Sequence, residues 1–501
     1  MKLVYLTLLI SLGLTTELSA QNALQRAAHN IEYGYEAQIS QSNGSTPFWL
    51  TANKHGMSSL DEGNGYMRAM VKRDVNTDSL SKWRIGYGAD IQVAYNYTSS
   101  GFIQQLYADF DYKLVRLTIG AKEYDAQLKN GALSTGSQAL GINARPVPAV
   151  RLELPEYWNI TGKGNWAAIR GHISYGMQTD GDFRGDYVGR NNDYTSKILL
   201  HTKAGYLRLG NAKKFPLVFE GGLEMACQFG GTRHNVSYDG RVQKSYKLAH
   251  KFKDYVDATL GIGGDYGEGI YANATGNTVG SWMARLSWQA NNWSVSAYYD
   301  HFFDDHSQMF FEYGKWKDGL IGVEVKLPKN RFVDNIVYEH MNATDQSGPI
   351  YHDHTPEIPD QISGRDNYYN HYIYVGWHNF GQAMGNPLYI SPLYNHNNSL
   401  HFTSNIFKAN HIGLSGTPTP WLAYRFLYTH IRSLGTMDKP FNEGYITNSV
   451  MAEVAFAPSH IRKVNTKGWT AKVAFGLDRG ELIGNNTGFQ FTISKTGLLK
   501  K

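Results

Sequence analysis

The sequence lacks several features that would have placed it at once. It holds a single cysteine, Cys227, in 501 residues, so no intramolecular disulfide framework can staple it. Proline is scarce, at 15 against 52 glycines. Beyond the N-terminus no stretch offers the ~20 consecutive apolar residues of a membrane helix. No Gly-x-Ser-x-Gly, His-Glu-x-x-His or Gly-Lys-Ser/Thr phosphate loop occurs, so there is no enzyme signature and no cofactor motif. The net charge of +5 is too mild to point to nucleic acid. It suits an acidic glycan or anionic lipid surface, and equally a scattered excess of Lys and Arg.

What is present begins with Met1, Lys2 and an apolar run from Leu3 to Leu14, closed by Thr15 to Ala20. A short positive region, a core too short to span a bilayer and a small residue before Gln21 predict a signal peptide over residues 1–20. Residues 21–501 then form one exported domain, either soluble or inserted as a β-barrel. Abundant Tyr (34, against 22 Phe) and Gly, with a mean hydropathy of −0.42, favour the barrel.

The stretch from Trp83 to Tyr97 carries the pattern most plainly. Its odd positions (Trp83, Ile85, Tyr87, Ala89, Ile91, Val93, Tyr95, Tyr97) are apolar or aromatic, and its even positions are small or polar. Successive strand side chains face opposite ways, so one face is apolar and the other polar. Its length exceeds the ~5–6 residues of an ordinary strand and suits the ~9–11 tilted residues that cross a bilayer. Leu106 to Tyr112 and Val115 to Ile119 repeat it after tight breaks, as an up-and-down meander does. Further copies around Ile169, Leu217, Trp282, Trp293, Ile321, Leu422, Trp469 and Phe489 predict an even count of roughly sixteen to eighteen strands.

The polar faces carry Arg84, Arg116, Arg170, Glu220, Glu224, Arg285, Glu324, Lys326 and Lys472. An Arg or Lys facing lipid near the midplane costs about 2–4 kcal/mol, so these faces must line a lumen. A large soluble β-sandwich would alternate too, but a closed barrel removes the sheet edges that lipid cannot tolerate. Residues from Glu123 to Ile160 break the alternation with Pro146, Pro148 and Pro155 and predict an irregular plug or periplasmic cap. Long Gly- and Asn-rich loops at Gly230 to Gln243, Gly261 to Gly280 and Asn342 to Asn370 are expected on the outer side.

The candidate binding residues follow from placement. Asp109 and Asp111 share one lumen face, as do Glu220 and Glu224. Arg145 lies in the irregular segment. Asp304, Asp305 and His306 end a strand at an expected rim beside Phe302 and Phe303. Carboxylates accept sugar hydroxyls and aromatic faces stack on sugar rings, so a glycan site is expected there. Neighbouring strand residues diverge, so Asp304 and Asp305 cannot form a glycosidase acid pair. His352, Asp353 and His354 are too close in sequence to converge on a metal without further ligands.

Several stretches together resemble the capsule assembly Wzi family. They are Thr46 to Lys54, Asn143 to Pro148, Phe215 to Gly231, Asn330 to Asp334, Gly348–Pro349 and Gly381 to Pro387. The resemblance implies an eighteen-stranded barrel with a small helical bundle, to which residues 123–160 and 381–398 are assigned. It also implies a monomeric outer-membrane lectin that holds capsular polysaccharide or exopolysaccharide, with no cofactor and no catalytic residue. The ending Gly497 to Lys501 departs from the terminal aromatic common in such barrels. A porin or a barrel hydrolase are the rival readings.

Overall fold

The computed structural model describes residues 27–500 except 79–80, 239–240, 243–244, 249, 262, 265–272, 275, 305–308, 310–317, 329, 331 and 353–360. The expected signal peptide lies outside the described residues, as do Asp305, His306, Asp353 and His354.

Eighteen antiparallel strands close into a barrel. They are β1 (Ile31–Asn43), β2 (Gly63–Arg73), β3 (Trp83–Tyr95), β4 (Gly101–Tyr112), β5 (Val115–Ala121), β6 (Ala149–Asn159), β7 (Ala167–Met177), β8 (Leu199–Leu209) and β9 (Leu217–Phe229). They continue as β10 (Asn277–Gln289), β11 (Ser294–Asp304), β12 (Gly319–Lys326), β13 (Asn335–Asn342), β14 (Phe407–Thr419), β15 (Leu422–Gly435), β16 (Pro440–Phe456), β17 (Trp469–Gly480) and β18 (Thr487–Lys500). Each pairs with its sequence neighbours, and β1 pairs with β18 to close the ring, Ile39 opposite Phe491. No helix among the described residues is long and apolar enough to cross a membrane.

The period-2 pattern sets the two faces. On β3, Ala89, Ile91, Val93 and Tyr95 are exposed outward, while Gly88, Asp90 and Gln92 are buried inward. The strand ends at Tyr95, because Asn96 takes φ 55° and turns the chain. Tyr97, expected on the apolar face, instead meets the Tyr66 ring edge-on at 6.1 Å, and Tyr66 is buried. On β4 the register slips between Asp90–Gln105 and Ile91–Ile103. The extra residue is a β-bulge that sends both Gln104 and Gln105 inward and carries Phe102 with them. Gln104 Nε2 donates to His55 O at 2.8 Å, and Gln105 Oε1 accepts the Glu123 N–H at 3.1 Å.

The irregular segment is shorter than expected, since residues 149–159 form β6. Val150 and Leu152 are exposed outward and Glu153 is buried inward. The alternation fails beyond them because the register shifts between Leu154 and Trp158, around Pro155, which has no N–H for the ladder. A second departure is on β9. Cys227 and Phe229 share the apolar phase of Leu217 and Phe219, but the helix Phe252–Leu260 covers them through Ala258 and Tyr255.

The two rims differ. Residues 44–62, 122–148, 178–198, 230–276 and 343–406 all connect strands at one rim; the opposite rim has short turns and both ends of the described chain. Residues 122–148 and 366–406, with the short helix Phe48–Thr51, fold from the long-loop rim into the lumen as a plug. It is irregular over nearly its whole length, with one 3₁₀ turn at Pro392–Tyr394. The hydrophobic core sits here, inside the barrel. Trp49, Leu133, Tyr369, Trp377, Leu388 and Tyr389 of the plug pack on Val279, Phe302, Val337, Leu427 and Met451 of the wall.

Ile91→Arg, outward near the middle of β3, is expected to lower folding stability by about 2–4 kcal/mol. Urea titration of the barrel refolded into vesicles measures this; an unchanged midpoint would mean that Ile91 does not face lipid.

Candidate functional site

The plug is held by charges that the strand pattern directs inward. From β11, Asp300 pairs with Lys129 in the buried interior, and its backbone O accepts from Gln138 Nε2 at 2.6 Å. From β12, Glu324 pairs with Arg285 and accepts from Asn130 Nδ2 at 3.0 Å. From β13, Glu339 accepts the Thr135 N–H and the Tyr298 hydroxyl, each at 2.7 Å. From β17, Asp478 accepts the Phe48 N–H at 2.9 Å. A directional relay adds to these. Trp49 Nε1–H donates to Thr429 Oγ1 at 2.9 Å, and Thr429 lies 2.7 Å from His411 Nδ1. His411 Nε2 lies 2.6 Å from Leu133 O. That carbonyl can only accept, so Nε2 carries a proton and donates to it.

The plug segments interlock with one another. Trp377 Nε1 donates to Ala139 O at 3.0 Å, and Asn386 Nδ2 donates to Gly136 O at 3.0 Å. Gly141 N–H donates to Met384 O at 2.8 Å, where the chains cross so closely that a Cβ on Gly141 would lie 2.2 Å from Gly385 O. Only glycine fits that crossing.

Space remains on the opposite wall, β2 to β9. A cavity of about 160 Å³ is lined by His55, Tyr124, Arg145, Arg151, His172 and Glu224. Beside it lie one of about 380 Å³ with Arg116, Glu153, Arg170 and Tyr206, and one of about 230 Å³ with Lys72, Asp90 and Gln105. Lys122, Glu123 and Asp125 line all three. Cations sit over aromatic faces throughout: Arg151 over Tyr124 at 3.9 Å, Arg208 over Tyr157 at 4.4 Å, Arg170 over Tyr206 at 4.6 Å and Lys122 over Tyr107 at 4.8 Å. Such a surface offers charged donors and acceptors to hydroxyls, held in place over tyrosine rings.

The expected site residues separate into groups. Asp109 pairs with Lys122 at 2.6 Å and accepts from Thr118 at 2.7 Å. Asp111 binds Arg84 at 3.0 Å and Arg116 at 2.8 Å. Both acids thus have cationic partners, Asp111 within the wall and Asp109 at the start of the plug segment. Glu220 lies between Arg208 and Arg285 in register, whereas Glu224 is fully buried and accepts the Tyr206 hydroxyl at 2.5 Å. Glu224 and Arg145 border the same cavity. Asp304 is buried under the plug, where it accepts the Tyr369 N–H at 3.1 Å, so it does not stand at an open rim.

Burial lowers Arg145 to about 10 and lowers the His55 imidazole below its ordinary value. The same cause lowers Lys54, in the 44–62 connection, to about 8. Among the described residues no three His, Cys, Asp or Glu side chains gather to hold a metal. Lys122, Tyr124, Arg151, Tyr157 and Tyr206 were not singled out from the sequence. An Arg or Tyr on an inward strand phase was the only available signal, and many positions share it.

The fold defines an eighteen-stranded, internally plugged antiparallel barrel of the outer-membrane type. Among solved structures the chain is similar to Wzi of Escherichia coli, described as an outer-membrane protein involved in group 1 capsule assembly and a carbohydrate-binding β-barrel. The TM-score is 0.57 at 11% identity, over 95% of this chain and 87% of that one. Pseudomonas aeruginosa OprD aligns over 94% of this chain and 96% of its own, at 8% identity and a TM-score of 0.46. At such identities the likeness is one of fold. No protein-family model matches the sequence, and no curated protein does.

Asp300→Ala would strand Lys129 in the dry interior, at a cost of about 3–5 kcal/mol to the plug's anchorage. The expected outcome is protease cleavage within residues 122–148 of an otherwise intact barrel, together with raised conductance in a planar bilayer. Wild-type resistance and conductance would show that the plug is held elsewhere.

Proposed function

We propose that this protein is an outer-membrane glycan-binding barrel that retains exported capsular polysaccharide or exopolysaccharide at the cell surface. The observation that carries the reading is the filled lumen. An interlocked plug leaves cavities of a few hundred Å³ lined by paired cations and tyrosines, in place of an open pore. The outward apolar band, including Ile39, Met67, Val93 and Phe489, supports insertion in a bilayer. Both ends of the described chain lie at the short-turn rim, so the long loops and the plug entrance face outward, as is usual for barrels of this class. The carbohydrate binding described for the Escherichia coli neighbour agrees with this reading and is carried over here as part of the proposal.

The protein acts as a monomer and binds without catalysis. Many weak hydrogen bonds and ring contacts act along a long polymer, and effective concentration multiplies them. The rival reading is a solute channel, for which the plug is the difficulty.

The test is the partition of surface polysaccharide in a deletion strain. An anchor predicts unchanged total polymer with a fall in the cell-bound share and a rise in the medium. An unchanged partition, with ion conductance of the purified protein in a bilayer, would instead favour the channel.

A further inference from the structure

The cations of the wet wall mostly have a carboxylate. Arg68 has Asp90 at 3.2 Å, Arg84 and Arg116 share Asp111, Lys122 has Asp109, and Arg151 has Glu153 at 2.7 Å. Arg145 differs. It is 7% exposed and borders the 160 Å³ cavity, yet no carboxylate among the described residues lies within ion-pair distance. Its guanidinium is clamped between the Phe102 ring at 3.6 Å and the Phe380 ring at 4.4 Å, and Nη2 donates to Thr98 Oγ1 at 2.8 Å. Its Nε is buried with no hydrogen-bond partner.

A second group on the same wall is also unspent. Gln92 is the cross-strand partner of Phe102, is 2% exposed, and has both amide atoms buried without a partner. Ring faces offset only part of the cost of burying a guanidinium, and an unmade hydrogen bond at a buried donor costs more. The position is built rather than accidental. A Cβ on Gly56, which has φ +74°, would lie 2.4 Å from Arg145 Cγ, and the Arg145 carbonyl accepts from Asn379 Nδ2 at 3.0 Å.

We propose that Arg145 is a receptor for the carboxylate of an acidic sugar unit, held bidentately by the guanidinium. This rests on the glycan-binding reading and names the ligand class for it. The planar fork of arginine matches the two oxygens of a carboxylate. Glu123, Asp125 and Glu224 border the same cavity, so the ligand carries one negative group at the Arg145 end and hydroxyls toward the acids. A neutral sugar would leave the guanidinium unpaired, and a multiply charged phosphate would meet those carboxylates.

The experiment uses the full barrel in lipid nanodiscs with sodium D-glucuronate, D-glucose and inorganic phosphate at up to tens of millimolar. Binding is followed by calorimetry and by the ¹⁵N–¹H resonance of Arg145 Nε, assigned by its loss in Arg145→Lys. Glucuronate is expected to shift that resonance while glucose does not. Arg145→Gln should weaken glucuronate binding by about tenfold or more, with Arg145→Lys in between. Both variants are checked for barrel folding by heat-dependent gel mobility.

Equal binding of glucuronate and glucose, full glucuronate affinity in Arg145→Gln, or tighter binding of phosphate than of glucuronate would each overturn the assignment. Glucuronate binding lost in Arg145→Gln, with polymer partition unchanged in the deletion strain, would uphold the site while removing the anchoring reading.

Discussion

A closed barrel with a polar inner face must satisfy that face from within, and the rest of this structure depends on how it does so. Asp300, Glu324, Glu339 and Asp478 reach inward from four strands, and the plug answers each with a Lys, an Asn or a backbone N–H. The need is reciprocal. A plug with little helix or sheet leaves many of its backbone groups without a ladder partner, and a buried donor left unpaired costs about 1–3 kcal/mol. Wall acids and plug amides therefore require each other, which is why an irregular chain can be the most buried part of the molecule.

This pairing is densest on one side, and the asymmetry makes a site. From β10 to β17 the wall adds Phe302, Val337, Leu427 and Met451, so the plug lies dry against it. From β2 to β9 the inward face is mostly polar; Arg84, Arg116 and Arg151 pair with acids of the wall itself, and the plug is met chiefly at Lys122 and Glu123. The cavities lie at that second boundary. A strand wall thus serves as a fastening on one side and as a polar lining on the other.

Much of the barrel was legible because its signal is local. Alternation over eight to thirteen residues placed β3, β9 and β12 and turned Arg84, Glu224 and Glu324 inward. It failed where the ladder does: Pro155 hid β6, and the Gln104 bulge redirected Phe102 without any mark in the composition. The site was less legible. Asp109 and Asp111 were rightly placed in the lumen, but their partners decide that they are spent. Asp304 fell under the plug because residues 366–406 return over it, a contact across more than sixty residues of chain.

By itself the sequence determined the class of architecture and, where the ladder is regular, which side chains face inward, since the two faces of an unbroken strand depend only on neighbours along the chain. Tertiary structure alone decided which inward charges are cancelled and which remain available. Arg145 shows why. Its guanidinium meets Thr98, Phe102 and Phe380, which arrive from separate connections and a bulged strand. Electrostatic and hydrogen-bond partnership depends on distance in space, and only the closed, plugged barrel sets those distances.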